Sequence, residues 1–123
     1  MSKRILVVED QEDNRRIVRD LLLASGYQLI EATTGEEGLK MATTEKPDLI
    51  LMDIQLPGMD GYEVTRRIKA NPELNPIPII VVTSYALSGD DKKAFDAGCN
   101  GYVTKPFSPR VLLAKIRDRK SVV

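Results

Sequence analysis

The stretch "PDLILMDIQLPGMDGYEV", residues 47–64, joins a short apolar run to a carboxylate. Residues 49–52 are apolar without alternation, which is typical of a strand covered on both faces of a sheet. The run ends on Asp53, and an ionised carboxylate at the end of a buried strand is costly unless it is paired or bound to a cation. We therefore expect the rest of the chain to supply charged partners for Asp53.

The chain alternates predicted strands and helices five times. Apolar or β-branched runs bounded by turn residues predict strands at 4–8, 28–32, 49–52, 77–83 and 101–105. Strands that are apolar on both faces, each followed by a helix, predict a parallel sheet with helices on both sides and right-handed crossovers. The expected fold class is α/β: a doubly wound, five-stranded parallel sheet in the order 2-1-3-4-5, of the flavodoxin-like (βα)5 type.

Apolar stripes and capping residues predict the helices. The first helix should bury Ile17, Leu21 and Leu22 on one stripe and end at Gly26, and the second should stop before Pro47. The predicted N-terminal caps are Thr34 with Glu37, Asp60 with Glu63, Ser88 with Asp91, and Ser108 before Pro109.

Composition and charge exclude several classes of protein. The 123 residues fit a single domain, 1–123, and 18 basic against 18 acidic residues leave no basic excess to attract nucleic acid or an anionic membrane. No apolar run approaches the roughly 20 residues of a membrane span, and the short basic start leads into a strand without a cleavage site, so we expect a cytoplasmic protein. With no histidine and a single cysteine, Cys99, a zinc site is not expected; Cys99 is predicted to be a small buried hydrophobe.

Reactive side chains follow four of the predicted strands. Strand one ends in Glu9 and Asp10, strand three in Asp53, strand four in Thr83 and strand five in Lys105. Ligands bind beyond the carboxyl ends of such strands, near the point where the strand order reverses, which lies between strands one and three. Three clustered carboxylates suit a hard cation such as Mg²⁺, and with the cation bound Asp53 could act as a nucleophile toward phosphorus.

Four motifs together resemble a known family. "VVED" after strand one, "LMDIQLPGMDGYEV" around Asp53, "VVTS" and "YVTKPF" occur in the order and spacing of the receiver domain of two-component response regulators, over residues 3–118. "PDLILMDIQLP" and "KKAFDAGC" are similar to stand-alone receivers of the DivK type. The resemblance implies a phosphorylation-controlled switch without an output domain of its own.

The resemblance also implies a role for each residue of the metal site. Asp53 is the expected phosphoacceptor, and Asp10 and Asp53 are expected to bind Mg²⁺ together with the backbone carbonyl of Gln55. Glu9 stands where many members have Asp, and is expected to act through a metal-bound water.

Gly58, which lies in the loop after strand three, is expected with Gly61 to serve turn geometry rather than ligand contact.

The remaining implied roles concern the phosphoryl group and the signal. Thr83 and Lys105 are expected to contact the phosphoryl group, and the Tyr102 ring is expected to follow the Thr83 hydroxyl. Gln55 and Tyr85, each two residues beyond a reactive position, should flank the path of water to the phosphoryl group. The expected donor is a histidine kinase or histidine phosphotransferase, and the expected docking surface for a downstream target is the fourth helix, fifth strand and fifth helix.

Plainer interpretations exist for single residues. Glu9 and Asp10 would also suit the start of a helix, where acids interact favourably with the dipole. Thr83 could bond to backbone at a strand end, and Lys105 could be a solvated lysine, although Pro106 holds it extended. Tyr102 could equally be core or partner surface.

Other function classes fit less well. A dinucleotide-binding protein needs glycines after the first strand, where this chain has "VVEDQEDN". An aspartyl-phosphate phosphatase of the haloacid dehalogenase type needs a second Asp where Gln55 stands, so we expect no turnover of external phosphoesters, only self-phosphorylation and autodephosphorylation. A phosphorylation-independent binding module of the same fold remains the alternative.

Overall fold

The computed structural model describes residues 3–83, 90–105 and 108–117, with residues 90 and 91 described only in their backbone. Five strands form one parallel sheet in the order β2-β1-β3-β4-β5. The strands β1 to β5 span Arg4–Val8, Gln28–Ala32, Leu49–Asp53, Ile79–Thr83 and Gly101–Thr104. The predicted fold class and strand order are confirmed.

Helices follow the strands throughout the described part of the chain. The helices α1 to α5 span Glu12–Ala24, Gly35–Glu45, Gly61–Ala70, Asp90–Asp96 and Pro109–Arg117. Three predicted caps are confirmed by a side-chain oxygen that accepts a backbone N–H three residues on: Thr34 from Glu37, Asp60 from Glu63, and Ser108 from Val111. The cap predicted at Ser88 lies outside the described residues.

The sheet separates two apolar layers, because successive side chains of a strand point to opposite faces. On one face, residues such as Leu6, Ile50 and Val81 pack against α2, α3 and α4. On the other face, residues such as Val7 and Leu51 pack against α1 and α5. Strands β3 and β4 are buried along their whole length, which leaves their polar last residues at the carboxyl edge of the sheet.

Several details of the sequence prediction are wrong. Ile17 is 60% exposed, whereas its neighbour Val18 packs in the core, because each helical residue turns the side chain by about 100° and the buried stripe lies one residue further on. Strand β4 begins at Ile79 rather than at residue 77, since Pro78 has no N–H to donate. The predicted ends of β3 and β5 each differ by one residue, at Asp53 and Thr104.

Two further observations bear on function. Cys99 is buried, and burial raises the pKa of its thiol to about 11, in keeping with the predicted small core residue. Within the described ranges, no helix combines the length and the apolar character needed to cross a membrane.

Candidate functional site

Glu9 and Asp53 occupy corresponding positions at the ends of neighbouring strands. Val8 of β1 pairs with Met52 of β3, so the residues that follow them stand at the same level. Residues 7 and 51 pack toward α1 and α5, and Glu9 and Asp53 continue that alternation. The strand order therefore brings two buried carboxylates side by side at the carboxyl edge of the sheet.

Glu9, Asp10 and Asp53 form one carboxylate cluster. One oxygen atom from each lies within 4.8 Å of those from the other two. Asp53 is only 7% exposed, and its burial, together with its contact with Glu9, raises the pKa of its carboxyl group to about 7. Neighbouring carboxylates can all be ionised at neutral pH if a cation offsets their repulsion.

Lys105 brings an ammonium group to this cluster. Its Nζ donates to Glu9 Oε1 at 2.5 Å and lies 3.8 Å from Asp53 Oδ2. Its backbone N–H donates to the Thr83 carbonyl at 2.7 Å, which fixes the chain just beyond β5. Lys105 thus contacts the carboxylate cluster and is not a solvated surface lysine. Its contact with a phosphoryl group stays a prediction.

Thr83 and Tyr102 lie on neighbouring strands and on the same face of the sheet. Val81 pairs with Tyr102, and Thr83 pairs with Thr104, so Thr83 is two positions from the partner of Tyr102. Thr83 is buried, and the half-buried Tyr102 packs against the apolar layer on the side of α2, α3 and α4. This face is opposite to the one toward which Glu9 and Asp53 point. The coupling between the two side chains stays a prediction.

The loop after β3 contacts the cluster through its backbone. The N–H of Gln55 donates to Asp53 Oδ1 at 3.3 Å, and the Gln55 side chain is exposed. Gly58 has a φ of +75°, which fits its predicted turn role. Gly61 has a different role from the predicted one, because a Cβ at this position would lie 2.2 Å from the Asp53 carbonyl oxygen. A glycine there lets α3 begin directly against the end of β3.

Two residues that the sequence analysis placed near the site, Tyr85 and Pro106, lie outside the described residues.

Sequence reasoning missed Arg15, which contacts the main chain of the site. Arg15 Nη1 donates to the Glu9 carbonyl oxygen at 3.0 Å, and Arg15 Nε donates to Glu31 Oε1 at 3.2 Å. The signal in the sequence was only the spacing of Glu12 and Arg15, which is typical of an exposed ion pair on a helix. The contact with Glu9 depends on how α1 returns over β1 and β2.

The carboxylate cluster suits a divalent metal ion. Carboxylate oxygens are the ligands that Mg²⁺ prefers, and burial together with the neighbouring Glu9 raises the pKa of Asp53, so a bound cation would favour its ionised form. Glu9, Asp10 and Asp53 therefore fit a magnesium site in their chemistry and in their spacing. The strand order, which sets β1 beside β3, brings Glu9 and Asp10 next to Asp53.

The fold and this acidic edge define a response regulator receiver domain. The family model described as response regulator receiver domain matches residues 5–117, and the chain belongs to this family. Receiver domains act in two-component signalling and bind Mg²⁺ at their acidic pocket. The chain is 47% identical to the polar-differentiation response regulator DivK of Brucella ovis over 113 residues, which cover 91% of this chain and 92% of that protein.

Solved structures show the same fold. A CheY-like response regulator receiver domain protein from Methanospirillum hungatei superposes with a TM-score of 0.89 and 34% identity, covering 99% of this chain and 97% of that one. The receiver domain of a sensor histidine kinase from Pseudomonas aeruginosa superposes with a TM-score of 0.87 and 36% identity, with 97% of both chains covered. That structure has a magnesium ion coordinated in its active-site cleft.

Proposed function

We propose that this chain is a phosphorylation-activated response regulator that accepts a phosphoryl group on Asp53. The observation that carries the proposal is the environment of that carboxylate. Asp53 is buried at the end of β3, within 4.8 Å of carboxylate oxygens of Glu9 and Asp10, and its Oδ2 lies 3.8 Å from the Lys105 ammonium. One cleft thus contains a nucleophilic carboxylate oxygen, a cluster of acids that could hold a metal ion, and a lysine ammonium group.

The carboxylate cluster is the proposed magnesium site. Asp10, Asp53 and the backbone carbonyl of Gln55 would hold the ion, and Glu9 would act through one of its water ligands. When bound, Mg²⁺ offsets the charge of the carboxylates and polarises the phosphoryl oxygens. The magnesium ion in the cleft of the Pseudomonas receiver domain supports this assignment.

Phosphoryl transfer requires few groups beyond these. An Asp53 carboxylate oxygen attacks the phosphorus atom, and a P–O bond forms as the P–N bond to the donor histidine breaks. The leaving imidazole nitrogen takes the electron pair of that bond, so no general base is needed on this chain. Thr83 and Lys105 would contact the phosphoryl oxygens, which carry the negative charge in the transition state.

The proposed phosphoryl donor in signalling and the proposed downstream target are both other proteins. We assign the donor as a histidine kinase or histidine phosphotransferase, and place the receiver domain, 1–123, in the cytoplasm. The docking surface for a downstream target is assigned to α4, β5 and α5. Phe95 on α4 and Val111 on α5 are 49% and 48% exposed, which supports an apolar contact there.

A labelling experiment tests the proposal. The protein is incubated with acetyl phosphate and Mg²⁺, and its intact mass is measured with and without excess EDTA. We expect the addition of one phosphoryl group, lost on treatment with hydroxylamine, and no addition with EDTA. Absence of labelling in Mg²⁺ would favour the alternative, a binding module of the same fold that works without phosphorylation.

A further inference from the structure

We propose that Arg15 is a positioning residue for Glu9 and Asp10 and controls how tightly this site binds a divalent cation. Arg15 lies in α1, and its Nη1 donates to the Glu9 carbonyl oxygen at 3.0 Å. That carbonyl belongs to the peptide group that joins Glu9 to Asp10, so the bond restrains the main chain from which both carboxylates project. The inference rests on the proposed function, because it concerns the proposed magnesium site.

The turn from β1 to α1 shows why this restraint matters. The Glu9 N–H donates to the Ala32 carbonyl at 3.0 Å, which continues the contact with β2, but the chain then leaves the sheet. The Gln11 N–H donates to Glu9 Oε2 at 3.2 Å, while the side chain of Gln11, at the N-cap, makes no capping bond. The bond from Arg15 to the Glu9 carbonyl therefore holds this turn against the start of α1.

Arg15 is itself held firmly. Its side chain is 13% exposed, and each of its three nitrogens has an acceptor: Nη1 the Glu9 carbonyl, Nε the Glu31 carboxylate at 3.2 Å, and Nη2 the Glu12 carboxylate. Arg19 binds the same Glu31 carboxylate through two nitrogens, at 2.9 and 2.7 Å. A planar guanidinium fixed at three points loses little freedom when it holds the turn.

Two substitutions separate positioning from charge. R15M and R19M each remove one positive charge and one guanidinium that contacts Glu31, but only R15M removes the bond to the Glu9 carbonyl. Mg²⁺ binding is measured by isothermal titration calorimetry. We expect the dissociation constant of R15M to rise about tenfold, as is common when a partner of a metal ligand is lost. R19M should stay close to the native value.

A second readout excludes general damage to the site. The rate of phosphate loading from acetyl phosphate is measured across a series of Mg²⁺ concentrations. R15M should reach the native rate when Mg²⁺ saturates, because its defect lies in metal affinity. Unchanged Mg²⁺ affinity in R15M, equal weakening in R19M, or a low rate that excess Mg²⁺ does not restore would each overturn the inference.

Folding of each variant is checked by circular dichroism and thermal unfolding. If R15M does not fold, R15K decides, because it keeps the stem and the charge but lacks the fork that reaches Glu31 and Glu9 together; native Mg²⁺ affinity in R15K would then overturn the inference. Failure of the native protein to bind Mg²⁺ would overturn the proposed metal site and this inference with it. If the native protein binds Mg²⁺ and R15M binds it equally tightly, only this inference is overturned.

Discussion

Lys105 Nζ lies closer to Glu9 than to the proposed phosphoacceptor, at 2.5 Å from Glu9 Oε1 and 3.8 Å from Asp53 Oδ2. Both side chains of the Lys105–Glu9 pair are largely buried. The ammonium therefore already offsets part of the charge that a divalent cation would offset. Glu9, one methylene longer than Asp, contributes the carboxylate of this contact.

This pair predicts competition between Lys105 and the metal ion. Lys105→Ala should bind Mg²⁺ more tightly than the native protein, because Glu9 loses its ammonium partner and the cleft becomes more negative. The measurement is a calorimetric titration with Mg²⁺. Lys92→Ala, which removes an exposed lysine of α4, serves as the control and should leave the affinity unchanged. Weaker binding in Lys105→Ala would show that the lysine supports the metal site.

The identity of the phosphoacceptor is tested by Asp53→Asn. The amide lacks the nucleophilic oxygen, so labelling by acetyl phosphate should be abolished. The fold should persist, because the change also removes repulsion with Glu9. Asp20→Asn, an exposed acid of α1, is the matched control and should label normally. Undiminished labelling of the Asp53 variant in an intact-mass assay would place the phosphoryl group elsewhere.

The pKa of Asp53 predicts how stability depends on pH without metal. Its carboxyl group has a pKa of about 7 in the folded chain, against an ordinary value of 3.8, so the folded state binds the proton more tightly. The free energy of unfolding that this bound proton contributes is fully present below pH 4 and is lost as the pH rises through 7. Between pH 5 and pH 8 we expect a loss of roughly 2 kcal/mol, less than the full shift implies because this interval begins above the ordinary pKa and Asp53 is not fully buried.

Urea unfolding in EDTA measures this loss. The difference in unfolding free energy between Asp53→Asn and the native protein should grow with pH over that range, since the amide does not titrate. Adding Mg²⁺ should stabilise the native protein most at the upper end of this pH range. A difference that stays constant from pH 5 to pH 8 would contradict the assigned direction of the pKa shift.

The switch predicted at Tyr102 requires more than one contact. Moving a two-state element from mostly off to mostly on takes roughly 5.5 kcal/mol, and one neutral hydrogen bond from Thr83 supplies only about 1 kcal/mol. A charge-assisted contact from Lys105 adds roughly 1.5 to 3 kcal/mol, and burial of the Tyr102 ring adds more.

Lys105→Ala should therefore accept the phosphoryl group on Asp53 yet respond weakly, and Thr83→Ala should show a milder loss of the same kind. The readout is the set of NMR shifts around Tyr102 with and without beryllofluoride. A full response in the Lys105 variant would refute the coupling.

The order of elements and the identity of the charged residues at the sheet edge could be predicted from the sequence because both depend on local patterns. Apolar runs bounded by turn residues locate the strands, and the polar residue that ends each run identifies Glu9, Asp53 and Lys105. The errors are also local. Ile17 and Val18 are both apolar and β-branched, so the pattern could not tell which of the two faces the sheet.

The sequence by itself determined that the chain forms a parallel α/β sheet with acids, a hydroxyl and a lysine at its carboxyl edge. Tertiary structure decided which of these side chains touch. The pairing of Lys105 with Glu9 joins residues from opposite ends of the chain, and the bond from Arg15 to the Glu9 carbonyl depends on how α1 packs over the sheet. No local pattern encodes such contacts, because they arise from strand order and helix packing, which the whole core sets together.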